Sequence, residues 1–326
     1  MIKADAYGHG LLRVARALES ADGFGVARLT EALQLREAGF TQRVLLLGTL
    51  LDNVDLALCS SLGIDVTAHD GPSLTAIVTQ AHKTPLRVWL ELDSGMHRLG
   101  FEPKAFMEAD SALKDHPGVS ELIHMTHLSS AEDRVKRVAD RQIKCFEACR
   151  GEHVKCQSSV ANSAALISKA ETRVDWVRPG IMLYGSNPVG TSSEIRLLPA
   201  MTLRARVIAI RDITTGESVG YNERWTSSRT SRIATIGVGY GDGYPRHARS
   251  GTPVWLHGNI APVVGRISMD SMTVDLTDHP GASVGDEATL WGAELPAATI
   301  AECAGTIAHE VLTSLSQRVN REYIGR

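Results

Sequence analysis

The chain has 326 residues, of which 43% are hydrophobic and 22% charged, and a formal net charge of −3 at pH 7. This length exceeds what one hydrophobic core usually accommodates, so two domains and a globular fold are expected. The charge does not favour a nucleic-acid or anionic-membrane partner, and the sequence has neither a membrane-spanning apolar run nor a signal peptide. Five cysteines without CxxC spacing favour reduced thiols in a cytoplasmic protein over disulfides or a zinc site.

From the N-terminus to about residue 190, short apolar runs alternate with segments of helical period. The predicted strands are a stub ending at Lys3, then 24–27, 43–48, 64–67, 87–93, 122–127, 154–158 and 176–178. Helical patterns lie between them, for example from Leu11 to Leu18 and from Leu29 to a stop at Gly39. Because parallel neighbours need a crossover connection, this alternation predicts an α/β fold, a parallel (β/α)8 barrel.

After Pro199, strand-like runs dominate the sequence. They span 202–213, 232–239, 254–256, 261–276 and 288–291, and a helical segment near 300–318 closes the chain. The sequence therefore predicts a (β/α)8 TIM-type barrel over residues 1–196, followed by a mainly β C-terminal domain over residues 197–326.

Polar residues of unusual type follow the predicted barrel strands. Barrel enzymes place their chemistry at the C-terminal ends of the strands, and Lys3, Arg98, His127, Ser163 and Arg178 fall at or just after such ends. The loops after strands seven and eight are the usual phosphate site of this fold, and both contain small residues that let backbone N–H groups approach a phosphate. A lysine, an arginine and a phosphate cradle on one face suggest a phosphorylated aldehyde cofactor.

Seven motifs, in order along nearly the whole chain, resemble those of alanine racemases, the fold-type III pyridoxal-phosphate enzymes. They are KADAYGHG at 3–10, LDSGMHRLG at 92–100, ANSAA at 161–165, VRPGI at 177–181, VGY at 219–221, GYGDGYPR at 239–246 and GRISMD at 265–270. The resemblance implies a homodimer with shared active sites that interconverts L- and D-alanine, with pyridoxal 5′-phosphate as cofactor. The family's role is the supply of D-alanine for peptidoglycan or alanine catabolism.

The resemblance assigns catalysis to two bases. Lys3 carries the cofactor as a Schiff base and works on one face of its plane, and Tyr221 of a partner subunit works on the other. Because the unperturbed pKa of tyrosine is about 10, its phenolate needs cationic help, which His127 and Arg178 are expected to supply through a hydrogen-bond relay. Arg178 also donates to the pyridine nitrogen without giving up its proton, which leaves the ring a weaker electron sink and favours racemisation over transamination.

The cofactor phosphate has its own predicted ligands. Tyr7, Ser163, Gly180 and Ile181 resemble them, through two hydroxyls and two backbone donors. Asn162 and Ser163 could alternatively just cap the helix that follows, and the two interpretations are compatible. The spacing of the 12 histidines predicts no metal site.

The substrate contacts are also implied by the resemblance. Arg98 and the backbone N–H of Met269 resemble the contacts to the substrate carboxylate, and Tyr240 and Asp270 resemble entrance and inner-gate residues. Met269 and Tyr240, like Tyr221, are expected from the partner subunit. For Asp270 the alternative is a purely structural role, because an acid beside a turn often only orders a loop.

Three features depart from the family pattern. Glu91 stands where many relatives have a lysine, often carbamylated, that supports the carboxylate-binding arginine, so Glu91 is predicted to orient Arg98. Gln317 puts in doubt a phosphate contact that a tyrosine sometimes makes. Only Met1 and Ile2 precede Lys3, where relatives have a further strand and helix, which suggests an N-terminally truncated or misassigned start.

Two alternatives remain open from the sequence. One is a serine or broad-specificity racemase, because no linear motif reports the pocket volume near Tyr221 and Tyr240. The other is a non-catalytic pyridoxal-phosphate-binding homologue, which the short N-terminus permits. Carrier proteins of this fold are generally single barrels, so the β domain with Tyr221 argues against a carrier.

Overall fold

A computed structural model describes residues 1–48, 51–79, 84–133, 135, 137–151, 156–190 and 195–325. These residues form two compact units. The first comprises Met1–Ala6, Gly10–Met182 and Asn187–Arg196, and the second comprises Tyr7–His9, Leu183–Ser186 and Leu197–Arg326.

The first unit is built on a six-stranded parallel sheet whose strands lie in chain order. Its strands are β1 (Gly23–Val26), β2 (Arg43–Leu46), β3 (Ile64–Ala68), β4 (Leu86–Leu92), β5 (Val119–Thr126) and β6 (Gln157–Ser159). The Ile2 N–H donates to the Gly25 carbonyl of β1, at 2.9 Å, and Trp176 forms a parallel bridge with Ser159 of β6. The predicted fold class is confirmed, although the first and last predicted strands make only a few backbone contacts with their neighbours. Residues 154 and 155 of the predicted strand 154–158 lie outside the described residues.

Helices connect the strands of this unit, as the alternating pattern predicts. They span Leu11–Ala17, Leu29–Glu37, Asn53–Leu62, Gly71–Thr79, Pro103–Leu113, Val138–Arg150 and Ser163–Ser168. Capping side chains and glycines define where such helices begin and end. The Asp52 carboxylate accepts from the N–H groups of Val54 and Asp55 at the start of one helix, and Gly63 ends it in the left-handed conformation. Within the described part of the chain, no helix is long and apolar enough to cross a membrane.

The inner face of the parallel sheet is marked by alternate residues of β4. The Trp89 ring lies 5.7 Å from that of Trp176, three strands away, so both rings lie on the concave face. Buried Asp65 accepts hydrogen bonds from the side chains of Arg87 and Trp89 on the same face. Because side chains alternate along a strand, Glu91 shares this face, nearer the C-terminal end. The residues on this face therefore follow one another along the strands. The ion pair of Arg87 with Asp65 lies nearest the N-terminal ends, the ring of Trp89 comes next, and Glu91 lies nearest the C-terminal ends.

The second unit is mainly antiparallel β. Its strands are β7 (Leu203–Ile213), β8 (Ser218–Val219), β9 (Trp225–Thr226), β10 (Ser231–Ile236), β11 (Pro253–Leu256), β12 (Asn259–Pro262), β13 (Met272–Asp275) and β14 (Glu287–Trp291). Six of them form one sheet in the order β12-β11-β14-β7-β10-β13. Strands β8 and β9 form a separate pair, and helices span Ala297–Ala304 and Ala308–Thr313.

Two sequence predictions for this unit were wrong in detail. The run 261–276 is not one strand, because the chain leaves β12 and returns as β13 after a loop through Gly265, whose φ is +74°. A Cβ atom at Gly265 would lie 2.7 Å from the Val219 carbonyl oxygen, so the loop requires glycine there. The helical segment 300–318 is two helices, because Gly305 ends the first in the left-handed conformation.

Candidate active site

Lys3 begins a strained left-handed turn, Lys3–Tyr7. Ala4, Asp5 and Ala6 have φ values of 53°, 52° and 52°, a conformation that costs an L-residue about 1–2 kcal/mol. The turn is held by hydrogen bonds from Ala6 N–H to the Ile2 carbonyl, at 2.9 Å, and from Leu11 N–H to the Asp5 carboxylate, at 2.8 Å. Such strain persists only where the surrounding structure fixes the backbone, so the segment that holds Lys3 is rigidly defined.

The ammonium group of Lys3 lies in a positively charged, partly enclosed environment. Burial and, next, the positive charge of Arg98 lower the pKa of Lys3; Glu31 opposes this and Arg178 adds to it. Both causes disfavour the protonated amine, so the neutral, nucleophilic form of Lys3 is more accessible than that of an ordinary surface lysine.

Arg178 lies buried just after the Trp176 bridge. Its guanidinium donates to the Ser159 hydroxyl and, at 2.7 Å, to the Thr126 carbonyl at the end of β5. Burial lowers the pKa of Arg178 to about 10, and the negative charge of Glu91 opposes this shift. Arg178 therefore remains a cation at neutral pH. The sequence analysis did not find Ser159 or Thr126, although both end strands and so lie where site residues are expected.

The loop after β4 presents Arg98. One Asp93 carboxylate oxygen accepts hydrogen bonds from three successive backbone N–H groups, those of residues 95–97, at 2.9–3.0 Å. Gly100 closes the loop with a φ of +108°, and a Cβ atom there would lie 2.5 Å from the Asp93 nitrogen. The loop leaves Arg98 exposed, at the wall of a pocket that Glu91 and His127 also line.

His127 directly follows β5 in the wall of the same pocket. Burial, followed by the positive charges of Arg178, Arg98 and Lys3, lowers the pKa of His127 to about 3. The imidazole is therefore neutral at physiological pH. Of the two groups expected from the sequence to provide positive charge, Arg178 is a cation and His127 is not.

Replacing His127 with glutamine is expected to weaken the dependence of stability on acid. His127 takes up a proton near pH 6.5 when unfolded but only near pH 3 when folded, so the free energy of unfolding falls as pH drops below the unfolded pKa. For the cofactor-free chain, the stability lost between neutral pH and about pH 5 should shrink by roughly 2 kcal/mol in the variant. Urea unfolding at the two pH values measures this, with His247→Gln at an exposed position as the control. An unchanged loss in the His127 variant would contradict a neutral, half-buried imidazole.

Two loops after the last strands of the first unit meet at Ser163. The Ser163 hydroxyl accepts a hydrogen bond from Gly180 N–H at 2.8 Å, and Ile181 begins the 3-10 turn Ile181–Tyr184. Asn162 is the N-cap of Ser163–Ser168: its side chain accepts from Ala165 N–H and donates to the Leu128 carbonyl, both at 3.0 Å. The structure thus brings Ser163 and Gly180 together, while the Asn162 amide is used within the fold.

Tyr7 lies in the second unit, in an aromatic group. Its ring stacks on that of Tyr184 at 4.7 Å, and the His309 ring lies 5.9 Å away. Burial raises the pKa of Tyr7, so its hydroxyl stays protonated and available as a hydrogen-bond donor.

The other predicted residues of the second unit lie on its loops. Tyr221 begins the turn Tyr221–Glu223 and is 69% exposed, Met269 is 54% exposed and Tyr240 is 39% exposed. Tyr240 N–H donates to the Ser268 carbonyl at 3.0 Å, which ties two of these loops together. A Cβ atom at Gly239 would lie 2.3 Å from the Ser268 oxygen, so this close approach requires glycine.

Asp270 is held by a residue that the sequence analysis missed. Arg318 donates to the Asp270 carboxylate and to that of Asp242, both at 2.7 Å. The two acids raise the pKa of Arg318, and Arg318 in turn lowers the pKa of Asp242. Asp270 and Asp242 are therefore joined through one arginine within this unit. The sequence analysis assigned Arg318 no partner, because the pairing joins residues 48 positions apart.

A further group of potential metal ligands lies in the first unit. Asp110, His124 and Cys156 each place a ligand atom within 4.8 Å of the others. His124 Nε2 lies 2.7 Å from Asp110 Oδ1, so the two already form a buried hydrogen bond. Burial and then the charge of Asp110 raise the pKa of the Cys156 thiol. The three residues share no motif, and only the tertiary fold unites them.

Comparison with known families identifies the chain. Residues 1–188 match the model of the alanine racemase N-terminal domain, and residues 200–323 match that of the C-terminal domain. The chain belongs to the alanine racemase family. The resemblance predicted from the motifs is confirmed, as is the assignment to this class of isomerase.

Similar proteins extend over nearly the whole chain. An alanine racemase from Vibrio parahaemolyticus is 43% identical over 330 residues, which cover 99% of this chain and 91% of that protein. The crystal structure of the biosynthetic alanine racemase from Pseudomonas aeruginosa has a TM-score of 0.95 and 42% identity, with 99% and 91% of the two chains covered. The alanine racemase from Bartonella henselae, solved with covalently bound pyridoxal phosphate, has a TM-score of 0.90, 30% identity and the same coverage.

Proposed function

We propose that this alanine racemase family member interconverts L- and D-alanine with pyridoxal 5′-phosphate held at the C-terminal ends of its barrel strands. One observation gives this proposal its main support. Lys3, whose pKa is lowered by burial and by Arg98 and Arg178, lies at the strand ends that also present the paired Ser163 and Gly180. An activated amine, a cation and a phosphate cradle are the groups that this cofactor needs.

The residues at the strand ends fit the cofactor. Lys3 Nζ would bond its aldehyde carbon, and Arg178 would donate to its ring nitrogen. The Ser163 hydroxyl, the backbone N–H groups of Gly180 and Ile181, and the Tyr7 hydroxyl would hold its phosphate, with Asn162 and His127 beside them. When bound, pyridoxal phosphate withdraws electrons from Cα of the attached amino acid and so makes its proton removable.

Each proton transfer is proposed to use one residue of the chain. Arg98 and the Met269 backbone N–H bind the substrate carboxylate. Lys3 Nζ, which accepts a proton in its neutral form, serves one face of Cα, and Tyr221 Oη serves the other. Arg178 keeps its own proton because its pKa of about 10 lies well above neutral pH, and this limits electron withdrawal. The Cα proton is therefore replaced rather than lost to transamination.

The second unit is proposed to complete the site of another copy in a homodimer. Tyr221, Tyr240 and Met269 are large side chains left exposed on neighbouring loops of one chain. Exposed aromatic and methionine side chains are enriched at protein interfaces, which supports this role. Tyr240 and Asp270 are proposed to line the entrance.

The domain roles and location follow from the same proposal. Residues 1–196 are proposed to form the cofactor-binding domain, and residues 197–326 the domain that donates Tyr221. All five cysteines are free, which supports a reducing, cytoplasmic compartment.

The test is to purify the chain with pyridoxal phosphate and to record the visible absorbance of bound cofactor together with D-alanine formed from L-alanine. We expect the band and the turnover together. The absence of the band would overturn the cofactor assignment, and a band without turnover would favour the non-catalytic homologue. Serine is assayed in parallel, and a specificity constant as high as that for alanine would overturn the proposed substrate.

A further inference from the structure

Ser159 is the last residue of β6, and it is completely buried in the first unit. Its hydroxyl oxygen accepts a hydrogen bond from Arg178 Nη1 at 2.5 Å, and the hydroxyl donates to the Trp176 carbonyl at 2.9 Å. A serine hydroxyl has a single proton, which a carbonyl oxygen can only accept. The lone pairs of Ser159 are therefore turned toward Arg178 by a bond to the backbone two residues before that arginine.

Arg178 is held at both of its terminal nitrogens. Ser159 accepts from Nη1, while the Thr126 carbonyl at the end of β5 accepts from Nη2 at 2.7 Å. Strands β5 and β6 are neighbours in the parallel sheet. Because a guanidinium is planar and rigid, bonds from its two ends to neighbouring strands restrict the plane in which it lies. Only the Ser159 hydroxyl belongs to a side chain, so the residue at position 159 decides whether both bonds form.

Both acceptors are neutral, which matters for a buried cation. Neither the hydroxyl nor the carbonyl cancels the positive charge of Arg178. Each bond among the described residues uses one N–H of a terminal nitrogen that carries a second. Arg178 thus keeps both its charge and further N–H groups, which the proposed contact with the cofactor's ring nitrogen requires.

The neighbouring serine of β6 makes different contacts. Ser158 is almost as buried as Ser159, but its hydroxyl and its backbone N–H both donate to the Asp175 carboxylate, at 3.0 and 2.8 Å. Successive side chains of a strand point to opposite faces, so Ser158 faces away from Arg178. Strand β6 thus provides two buried serines, of which Ser159 bonds the arginine.

We propose that Ser159 is a positioning residue that fixes the plane of the Arg178 guanidinium and so determines how firmly the chain holds the ring of pyridoxal phosphate. The inference deepens the proposed function and rests on it. A guanidinium that turned away from the ring nitrogen would weaken both cofactor retention and removal of the Cα proton. Affinity for the substrate carboxylate should change little, because its proposed contacts, Arg98 and Met269, are on other segments.

The test is Ser159→Ala in the cofactor-loaded enzyme. Arg178 keeps its bond to Thr126 but loses its acceptor at Nη1. We expect the loaded variant to lose its visible band about tenfold faster than the wild type after dilution into cofactor-free buffer. The kcat for L-alanine should fall by roughly tenfold, while KM changes by less than about threefold.

Two further variants serve as controls. Ser158→Ala removes a buried hydroxyl from the adjacent position of the same strand, and we expect wild-type band loss and turnover from it. Ser159→Thr keeps the hydroxyl and suits a strand, so it should restore the wild-type rate of band loss. If circular dichroism shows that Ser159→Ala folds poorly, Ser159→Cys replaces it. Its thiol is a weak acceptor, so changes in the same direction are expected.

Action through Arg178 is measured in a double variant. In the Arg178→Met background, addition of Ser159→Ala should not accelerate band loss further. An undiminished acceleration in that background would overturn the proposal. Wild-type band loss and kcat in Ser159→Ala, or equal effects from Ser158→Ala, would also overturn it. A wild-type chain that does not hold pyridoxal phosphate would instead overturn the proposed function.

Discussion

Replacing Lys3 with alanine is expected to abolish both the visible band of bound cofactor and the formation of D-alanine. The variant loses the amine that bonds the cofactor and the base that serves one face of Cα. General base catalysis alone contributes about 10²–10⁴-fold, so we expect a combined loss of at least roughly 10⁴-fold in kcat. Absorbance after reconstitution and a coupled D-alanine assay measure the two effects.

Lys104→Ala is the control for this experiment. Lys104 is an exposed lysine on the helix Pro103–Leu113, paired at 3.9 Å with Glu108, and its loss should leave band and turnover unchanged. A Lys3 variant that retained the band would show that another lysine carries the cofactor. Circular dichroism of both variants establishes that the fold is intact.

Replacing Tyr221 with phenylalanine is expected to keep the cofactor band while lowering racemisation by about 10²–10⁴-fold, the range for loss of one general acid or base. The band should persist because Lys3 still bonds the cofactor. Lys3 also still serves its own face, so one enantiomer of alanine should exchange its Cα hydrogen with D2O far faster than the other. Proton NMR of L- and D-alanine, each incubated separately with the variant, measures both exchange rates.

Tyr323→Phe, at a half-exposed tyrosine near the C-terminus, is the control for Tyr221, and we expect wild-type racemisation from it. Equal exchange of the two enantiomers by the Tyr221 variant, at the wild-type rate, would contradict the assignment. Loss of the band would mean instead that Tyr221 supports cofactor binding.

Hydrophobic patterns predicted much of the fold, because the strands of a buried parallel sheet are short, nearly continuous apolar runs in the sequence. The runs that became β1 to β5 lie between amphipathic segments, and the predicted site residues Arg98 and His127 follow the C-terminal ends of β4 and β5, where the barrel fold places them. The run 261–276 was misjudged because its residues suit a strand, while a tertiary approach of Gly265 to the Val219 carbonyl breaks it.

Other features lay beyond sequence reasoning because they depend on contacts between distant segments. The left-handed turn after Lys3 contains alanines and an aspartate where local preference favours glycine, so only the surrounding hydrogen bonds explain it. The lowered pKa of His127 follows from burial and then from cations on three other segments, none of them adjacent in the sequence.

The central claim is that Lys3 and Tyr221 serve opposite faces of Cα, and the fate of the Cα hydrogen tests it most directly. Protiated L-alanine is incubated with the cofactor-loaded chain in D2O, and the first D-alanine formed is analysed by mass spectrometry. Two bases predict D-alanine that carries solvent deuterium at Cα from the earliest time points, because the residue that delivers the hydrogen is not the one that removed it. Early D-alanine that retained the substrate's own hydrogen would show a single base, and the absence of D-alanine would contradict the racemase itself.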